Sequence, residues 1–261
     1  MELSIVIPIY NSSKIIPKLI NQLKKRINKT IVKTYEIILV NDFSIDNSWT
    51  IIKKICRHDT SVKGINLLNN YGQHSAIFAG LKYARGNKII TMDDDLQHPP
   101  SSVMSIYKKL DEFDLCYTLY IRRKHPAWKK IISYINNVYS SFLFNKSFNI
   151  YHSSFRGFTL NIAKKILLFK KPIIFLDSLL LKETKNICTI KVFHKKRFSG
   201  SSNYKLSNLL SLFFDMIENY HFKPFRFGTI LGAISNFFVK ILRVFKNKKK
   251  IQYKIKEKTF Y

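Results

Sequence analysis

The first 121 residues alternate between short apolar runs and longer stretches whose apolar positions recur with helical spacing. Leu3–Ile9, Tyr35–Val40, Val62–Leu68, Lys88–Met92 and Leu115–Ile121 suit strands buried on both faces. Between them, Ser13–Ile27, Asp46–Arg57, Gly72–Ala84 and Ser101–Glu112 carry the pattern of amphipathic helices. Strand alternating with helix predicts an α/β fold, a mostly parallel sheet flanked by helices. Gly86 suits the end of the third helix, and Pro99-Pro100 the start of the fourth.

Past Ile121 the pattern loosens. Arg122–Ser147 is basic and aromatic without a clear period, and Ser153–Phe169 reads as a loop entering a helix. The apolar stretch Ile173–Leu181 precedes a β-rich run, Ile187–Phe193, the polar segment His194–Tyr204 and an amphipathic helix, Leu206–Tyr220. No internal repeat is visible.

These features divide the chain into a catalytic domain, 1–221, and a segment of different character, 222–261. Phe227–Val239 is uncharged but only 13 residues long, whereas a spanning helix needs about 20. From Phe227 to Phe245 the apolar residues share one helical face, and Lys240, Arg243 and Lys246 fall on the other. That is the pattern of a C-terminal amphipathic, membrane-associated helix. From Lys240 to Tyr261 there are nine Lys/Arg and one Glu, which favours an anionic membrane surface. A helix packed on the domain with a solvated tail is the competing reading.

Charge sharpens this picture. The whole chain carries 45 Lys+Arg against 16 Asp+Glu, a formal net charge of +29, so its partners are expected to be anionic. Nucleic acid is not the expected partner, because the basic residues are dispersed instead of following a recognition motif. Cys56, Cys116 and Cys188 are widely spaced and odd in number, against a disulfide framework or zinc site. The N-terminus reads as a first strand without a basic leader, so the expected location is the cytoplasmic face of the inner membrane, peripheral or with a short C-terminal anchor. A homo-oligomer is compatible with the sequence, which does not specify one.

In parallel sheets, ligands bind beyond the carboxyl ends of the strands. Met92-Asp93-Asp94-Asp95-Leu96-Gln97 falls there. Three adjacent carboxylates repel one another and form a hard oxygen site suited to Mg2+ or Mn2+. Such a metal neutralises charge on a departing nucleotide diphosphate. Asn41-Asp42-Phe43-Ser44-Ile45-Asp46 follows the second strand: Asp42 can accept an N–H of a nucleobase, and Asp46 can cap the next helix. Pro8-Ile9-Tyr10-Asn11 ends the first strand and could set Tyr10 against that base.

Together these segments resemble glycosyltransferase family 2, which has a GT-A (Rossmann-like) fold, and the resemblance covers nearly the whole chain. Pro8–Ser12 echoes the family's Pro-x-Tyr-Asn-Glu, Val40–Asp46 its Val-Asp-Asp-Gly-Ser-x-Asp, Asn70-Tyr71-Gly72 its Asn-x-Gly, and Met92–Pro100 its Met-Asp-x-Asp-Leu-Gln-x-Pro-Pro. The second half resembles the polyprenyl-phosphate sugar transferases through Ser154-Phe155-Arg156, Leu176-Asp177 and Arg197-x-x-Gly200-x-Ser202-x-Tyr204. The resemblance implies donor contacts from Pro8, Tyr10, Asn11, Asp42, Ser44, Gln73, Asp93, Asp94, Arg197, Ser202 and Tyr204, with metal on Asp93 and Asp95. Two departures stand out: Ser12 replaces Glu, and Phe43 replaces Gly. Ser154 stands where some of these enzymes carry Asp, so the available carboxylate in the second half is Asp177, nominated as catalytic with Arg197. Arg122, Arg123 and Lys124 are candidates to hold an acceptor phosphate.

The expected activity is an inverting, metal-dependent transfer from a nucleotide diphosphate sugar, UDP by preference, to polyprenyl phosphate. Transfer onto a lipopolysaccharide, capsule or other surface glycan is the enzymatic alternative.

Overall fold

The computed structural model describes residues 1–121, 137–138, 141, 146–169, 175–193 and 253–260. Five strands fall where the apolar runs predict them: β1 (Leu3–Ile9), β2 (Tyr35–Asn41), β3 (Val62–Leu67), β4 (Lys88–Thr91) and β5 (Leu115–Ile121). Every residue of β1 is buried, as a strand covered on both faces requires. The helices between them are α1 (Ile16–Ile27), α2 (Ser48–His58), α3 (Gln73–Leu81) and α4 (Ser101–Lys109). In α1 the buried residues Ile16, Leu19, Ile20, Leu23 and Ile27 form one stripe, and Lys24, Lys25 and Arg26 oppose the negative end of its dipole. α1 starts three residues later than its pattern predicts, because the chain before it is held in a strand-end loop described below.

β6 (Arg156–Thr159), α5 (Leu160–Leu167), α6 (Leu176–Glu183), β7 (Ile187–Phe193) and β8 (Ile255–Lys258) follow. The strands form one sheet in the order β7-β5-β6-β4-β1-β2-β3-β8. β1, β2, β3 and β4 run parallel, as do β5 and β7, while β6 and β8 are antiparallel to their neighbours. One apolar core sits between the sheet and α1, α2 and α4, the other between the sheet and α3, α5 and α6. The predicted α/β architecture is therefore present.

Two strands depart from the sequence expectation. The segment read as a loop entering a helix contains β6, wedged between β4 and β5. Residues 253–260, grouped in the sequence reading with the membrane-facing tail, instead add β8 to the edge of β3. Trp49 Nε1 donates to Glu257 at 2.8 Å, and Gly64 N–H donates to the Thr259 hydroxyl at 2.8 Å. The helix expected over Phe227–Phe245 and the amphipathic stretch Leu206–Tyr220 lie outside the described residues. Among those described, no helix is long and apolar enough to cross a membrane.

Candidate active site

The carboxyl ends of β1, β2 and β4 are joined by hydrogen bonds between their loops. Asn11 N–H donates to Ser44 Oγ at 3.0 Å, and Ile45 N–H donates to Asn11 Oδ1 at 2.9 Å. Ser12 N–H reaches Ser48 Oγ, and Ser13 N–H reaches Asp46 Oδ2, whose other oxygen accepts from Ser48 N–H. Asp46 thus binds the start of α2 to the β1 loop, a wider role than the helix cap expected for it. Tyr10 N–H donates to Asp94 Oδ2 at 3.2 Å, which ties the β1 end to the acidic cluster.

Asp93 lies at the centre of a polar set drawn from three parts of the chain. Gln73 Nε2 donates to its Oδ1 at 2.6 Å and the Ser154 hydroxyl to its Oδ2 at 2.7 Å. Asp93 N–H donates to His98 Nδ1 at 3.1 Å, and the imidazole is stacked on Phe155, centroids 4.9 Å apart. Gln73 was expected from the sequence. Neither His98 nor Ser154 is among the donor contacts that the resemblance implies, and β6 lying beside β4 is what brings Ser154 to Asp93. An Asp at 154 would bring a second negative charge onto Asp93, whereas the serine donates to it.

The middle carboxylate differs from its neighbours. Burial pushes Asp94 up to about 6, and the Asp93 and Asp95 charges add to that rise, against opposition from the Ser12 hydroxyl and Tyr10 N–H. Asp95 Oδ1 accepts Gln97 N–H at 3.0 Å, closing a tight turn. Among the described residues no group of three protein ligands is assembled for a metal. Two carboxylates, Asp93 and Asp95, fit a hard divalent cation that takes its other oxygens from phosphate and water.

Asp42 has a more structural setting than expected. It is buried, and its two oxygens accept Tyr71 N–H and Gly72 N–H, each at 2.8 Å. Burial raises its pKa, and these two N–H groups partly offset that rise. The Asn70-Tyr71-Gly72 motif is thereby fastened to β2, with Gly72 at φ +86 just before α3. That left-handed backbone is open to glycine without strain.

Asp177 is not an accessible carboxylate. Its side chain is 4% exposed and ion-paired with Arg156, and it accepts the Tyr117 hydroxyl at 2.7 Å. Burial pushes Asp177 up, but Arg156 and the nearby imidazoles of His152 and His74 hold it below the usual carboxylate range. This is a buried pair under the site, and the expectation of a free catalytic carboxylate at 177 is corrected accordingly. Arg122, Arg123, Lys124, Arg197, Ser202 and Tyr204 lie outside the described residues. Pro8 is in β1, in register with Val40, and Ser44 holds the Asn11 loop.

Three described residues other than glycine adopt left-handed backbone: Asn11 (φ +53), Phe43 (φ +60) and Leu96 (φ +60). All three sit in the strand-end loops around the acidic cluster. Such backbone costs a residue with a Cβ about 1–2 kcal/mol, and strain of this kind gathers at functional sites.

A doubly wound α/β fold with an acidic cluster and a polar cradle at its strand ends has the layout of an enzyme that handles a phosphorylated nucleotide. Residues 4–167 match Glycosyl transferase family 2, and the chain belongs to that family. It is a glycosyltransferase. It is 33% identical to an undecaprenyl-phosphate 4-deoxy-4-formamido-L-arabinose transferase of Shewanella sediminis, over 88% of this chain and 70% of that one. The enzyme of the same name from Serratia proteamaculans is 32% identical over 93% of this chain and 76% of that one. Among solved structures, glucosyl-3-phosphoglycerate synthase of Mycobacterium tuberculosis, in complex with Mn2+, UDP and glucosyl-3-phosphoglycerate, superposes with a TM-score of 0.59. The match covers 83% of this chain and 77% of that one at 14% identity, a likeness of fold.

Proposed function

We propose that this glycosyltransferase moves a sugar, with inversion, from a nucleotide diphosphate to polyprenyl phosphate at the cytoplasmic face of the inner membrane. The observation that carries the reading is the convergence on the acidic cluster of Tyr10 N–H, Gln73 and the Ser154 hydroxyl, from three separate parts of the chain. The names of the relatives supply the acceptor class. The Mn2+ and UDP of the synthase crystal support UDP as the preferred nucleotide and a divalent cation as cofactor, Mg2+ or Mn2+.

Asp93 and Asp95 would hold the cation, which when bound offsets the charge that builds on the departing diphosphate. Gln73 and Ser154 fix the orientation of Asp93, and Tyr10 lies beside the nucleobase. An oxygen of the acceptor phosphate attacks the anomeric carbon while the bond to the diphosphate oxygen breaks, its electron pair leaving with the nucleotide. A phosphate monoester has a second pKa of about 6, so its oxygen is already anionic near neutral pH. The site then needs cations to place the acceptor more than a base to deprotonate it. Arg122, Arg123 and Lys124 are proposed for the acceptor phosphate, and Arg197, Ser202 and Tyr204 for the donor diphosphate. Asp177 acts through Arg156 as a positioning residue.

The acceptor is tested with membranes containing the protein, a panel of labelled UDP- and GDP-sugars, and polyprenyl phosphate present or omitted. The expected product is a lipid bearing a sugar phosphate labile to mild acid, formed only when polyprenyl phosphate is present. One feature favours a surface-glycan acceptor instead: the uncharged stretch Phe227–Val239 is shorter than a spanning helix. Transfer seen only onto a preformed glycan would establish that alternative.

A further inference from the structure

Each of the three strained residues in the strand-end loops meets a different fate. Asn11 tolerates left-handed backbone, and its side chain earns a hydrogen bond from Ile45 N–H. Leu96 is 7% exposed and packs into the core. Phe43 has neither compensation. It is 46% exposed, belongs to neither apolar core, and makes no ring contact among the described residues. A large aromatic ring is thus held in water, on a backbone conformation that glycine would adopt at no cost.

Its position says what the ring is for. Ile9 and Asn41 are register partners on adjacent parallel strands, and Asp42 N–H donates to Ile9 O at 2.9 Å, so the pairing runs to the strand ends. Tyr10 and Phe43 therefore emerge from neighbouring strand ends, and Tyr10 is also exposed, at 45%. The Asn11–Ser44 and Asn11–Ile45 bonds fix the two loops to each other, so both rings stand on a braced frame. Asp42, one residue before Phe43, is buried and accepts the Tyr71 and Gly72 N–H groups. Two exposed rings beside a buried carboxylate suit a flat heteroaromatic ligand, with π-faces for stacking and N–H groups for the edge.

We propose that Phe43 is a binding residue for the nucleobase of the donor, adding a second aromatic contact to that of Tyr10. This rests on the nucleotide-sugar reading above. The test compares wild-type protein with Phe43→Gly and Phe43→Tyr, titrated with UDP, GDP, CDP and dTDP in the presence of Mn2+, with inorganic pyrophosphate as the control lacking a base. Phe43→Gly is expected to raise the thermal midpoint, because the strain is relieved. At the same time it should weaken binding of the preferred nucleoside diphosphate about tenfold, with pyrophosphate affinity unchanged. Phe43→Tyr should keep wild-type affinity. Equal affinity of Phe43→Gly and wild type for the nucleotide overturns the inference, as does an equal loss for nucleotide and pyrophosphate. A wild-type protein that binds none of the four nucleotides removes the donor reading itself, a result distinct from either.

Discussion

Arg156 and Asp177 form an ion pair buried between β6 and the first turn of α6, with side chains 1% and 4% exposed. Arg156 is the register partner of Thr91, two residues before Asp93, so the pair lies under the acidic cluster. Removing one member of a buried pair leaves the other charged and unsolvated, which costs about 3–5 kcal/mol. Asp177→Ala should therefore lower stability by that amount in chemical denaturation. The double variant Arg156→Met with Asp177→Leu should recover much of the loss, because no orphan charge remains. A carboxylate acting only as a catalytic base would give the opposite result, a stable protein without activity.

For the acidic cluster the expected failure is in binding and transfer. Asp93→Asn keeps a side chain of the same shape between Gln73 and Ser154, and Asp95→Asn can still accept Gln97 N–H. Both variants should fold with wild-type circular dichroism. Each should lose Mn2+-dependent UDP binding and reduce transfer at least a hundredfold, about 2.7 kcal/mol of transition-state stabilisation. Retention of metal-dependent binding in both would remove the cation from these carboxylates.

How far the sequence discloses this site depends on where the information lies along the chain. Asp93-Asp94-Asp95 is legible because three like charges in a row need an external cause, and β1 through β5 are legible because each centres on a short apolar run that alternates with helical patterns. β6 is not: Arg156-Gly157-Phe158-Thr159 has no period, and its arginine is buried only because Asp177 arrives from α6. β8 reads as Ile-Lys-Glu-Lys, a charged edge strand indistinguishable by composition from a solvated tail. Gly86 suits a helix terminus by residue type, but α3 ends at Leu81. The glycine is required elsewhere: a Cβ there would stand 2.4 Å from Ser4 N, where Gly86 N–H donates to Ser4 Oγ.

Glu36 gives the fold a dependence on pH at the end of the sheet away from the site. Its carboxylate accepts the Ser4 hydroxyl at 2.6 Å, Lys63 Nζ at 2.5 Å and Arg85 N–H at 2.6 Å. Burial pushes its pKa up, but these three donors outweigh that and hold it below 4.5. A group depressed on folding stabilises the fold fully above its unfolded pKa and loses that contribution as pH falls through the folded value. Urea midpoints should therefore be flat from pH 7 to about 5 and decline below about 4.5. Glu36→Gln should be less stable than wild type at pH 7, with the gap narrowing as the pH drops to 3. A gap that is constant with pH would exclude Glu36 as a source of the acid lability.

Phe193 ends β7 and Tyr253 precedes β8, the two edges of one sheet. Seven steps of about 4.8 Å set those edges roughly 34 Å apart. Both anchors belong to a single folded sheet, so they are expected on the same side of a bilayer. The basic, apolar stretch Phe227–Phe245 is then expected to engage lipid from one leaflet, as an interfacial segment does. In sealed inverted membrane vesicles, small tags after Met1 and after Tyr261 should be cleaved together by added protease. The protein should also leave the membrane in alkaline carbonate, and bind vesicles containing anionic lipid far more tightly at low salt than at high salt. Protection of one tag alone would show a single crossing and would require β8 to be unpaired from β3 in the membrane-bound protein.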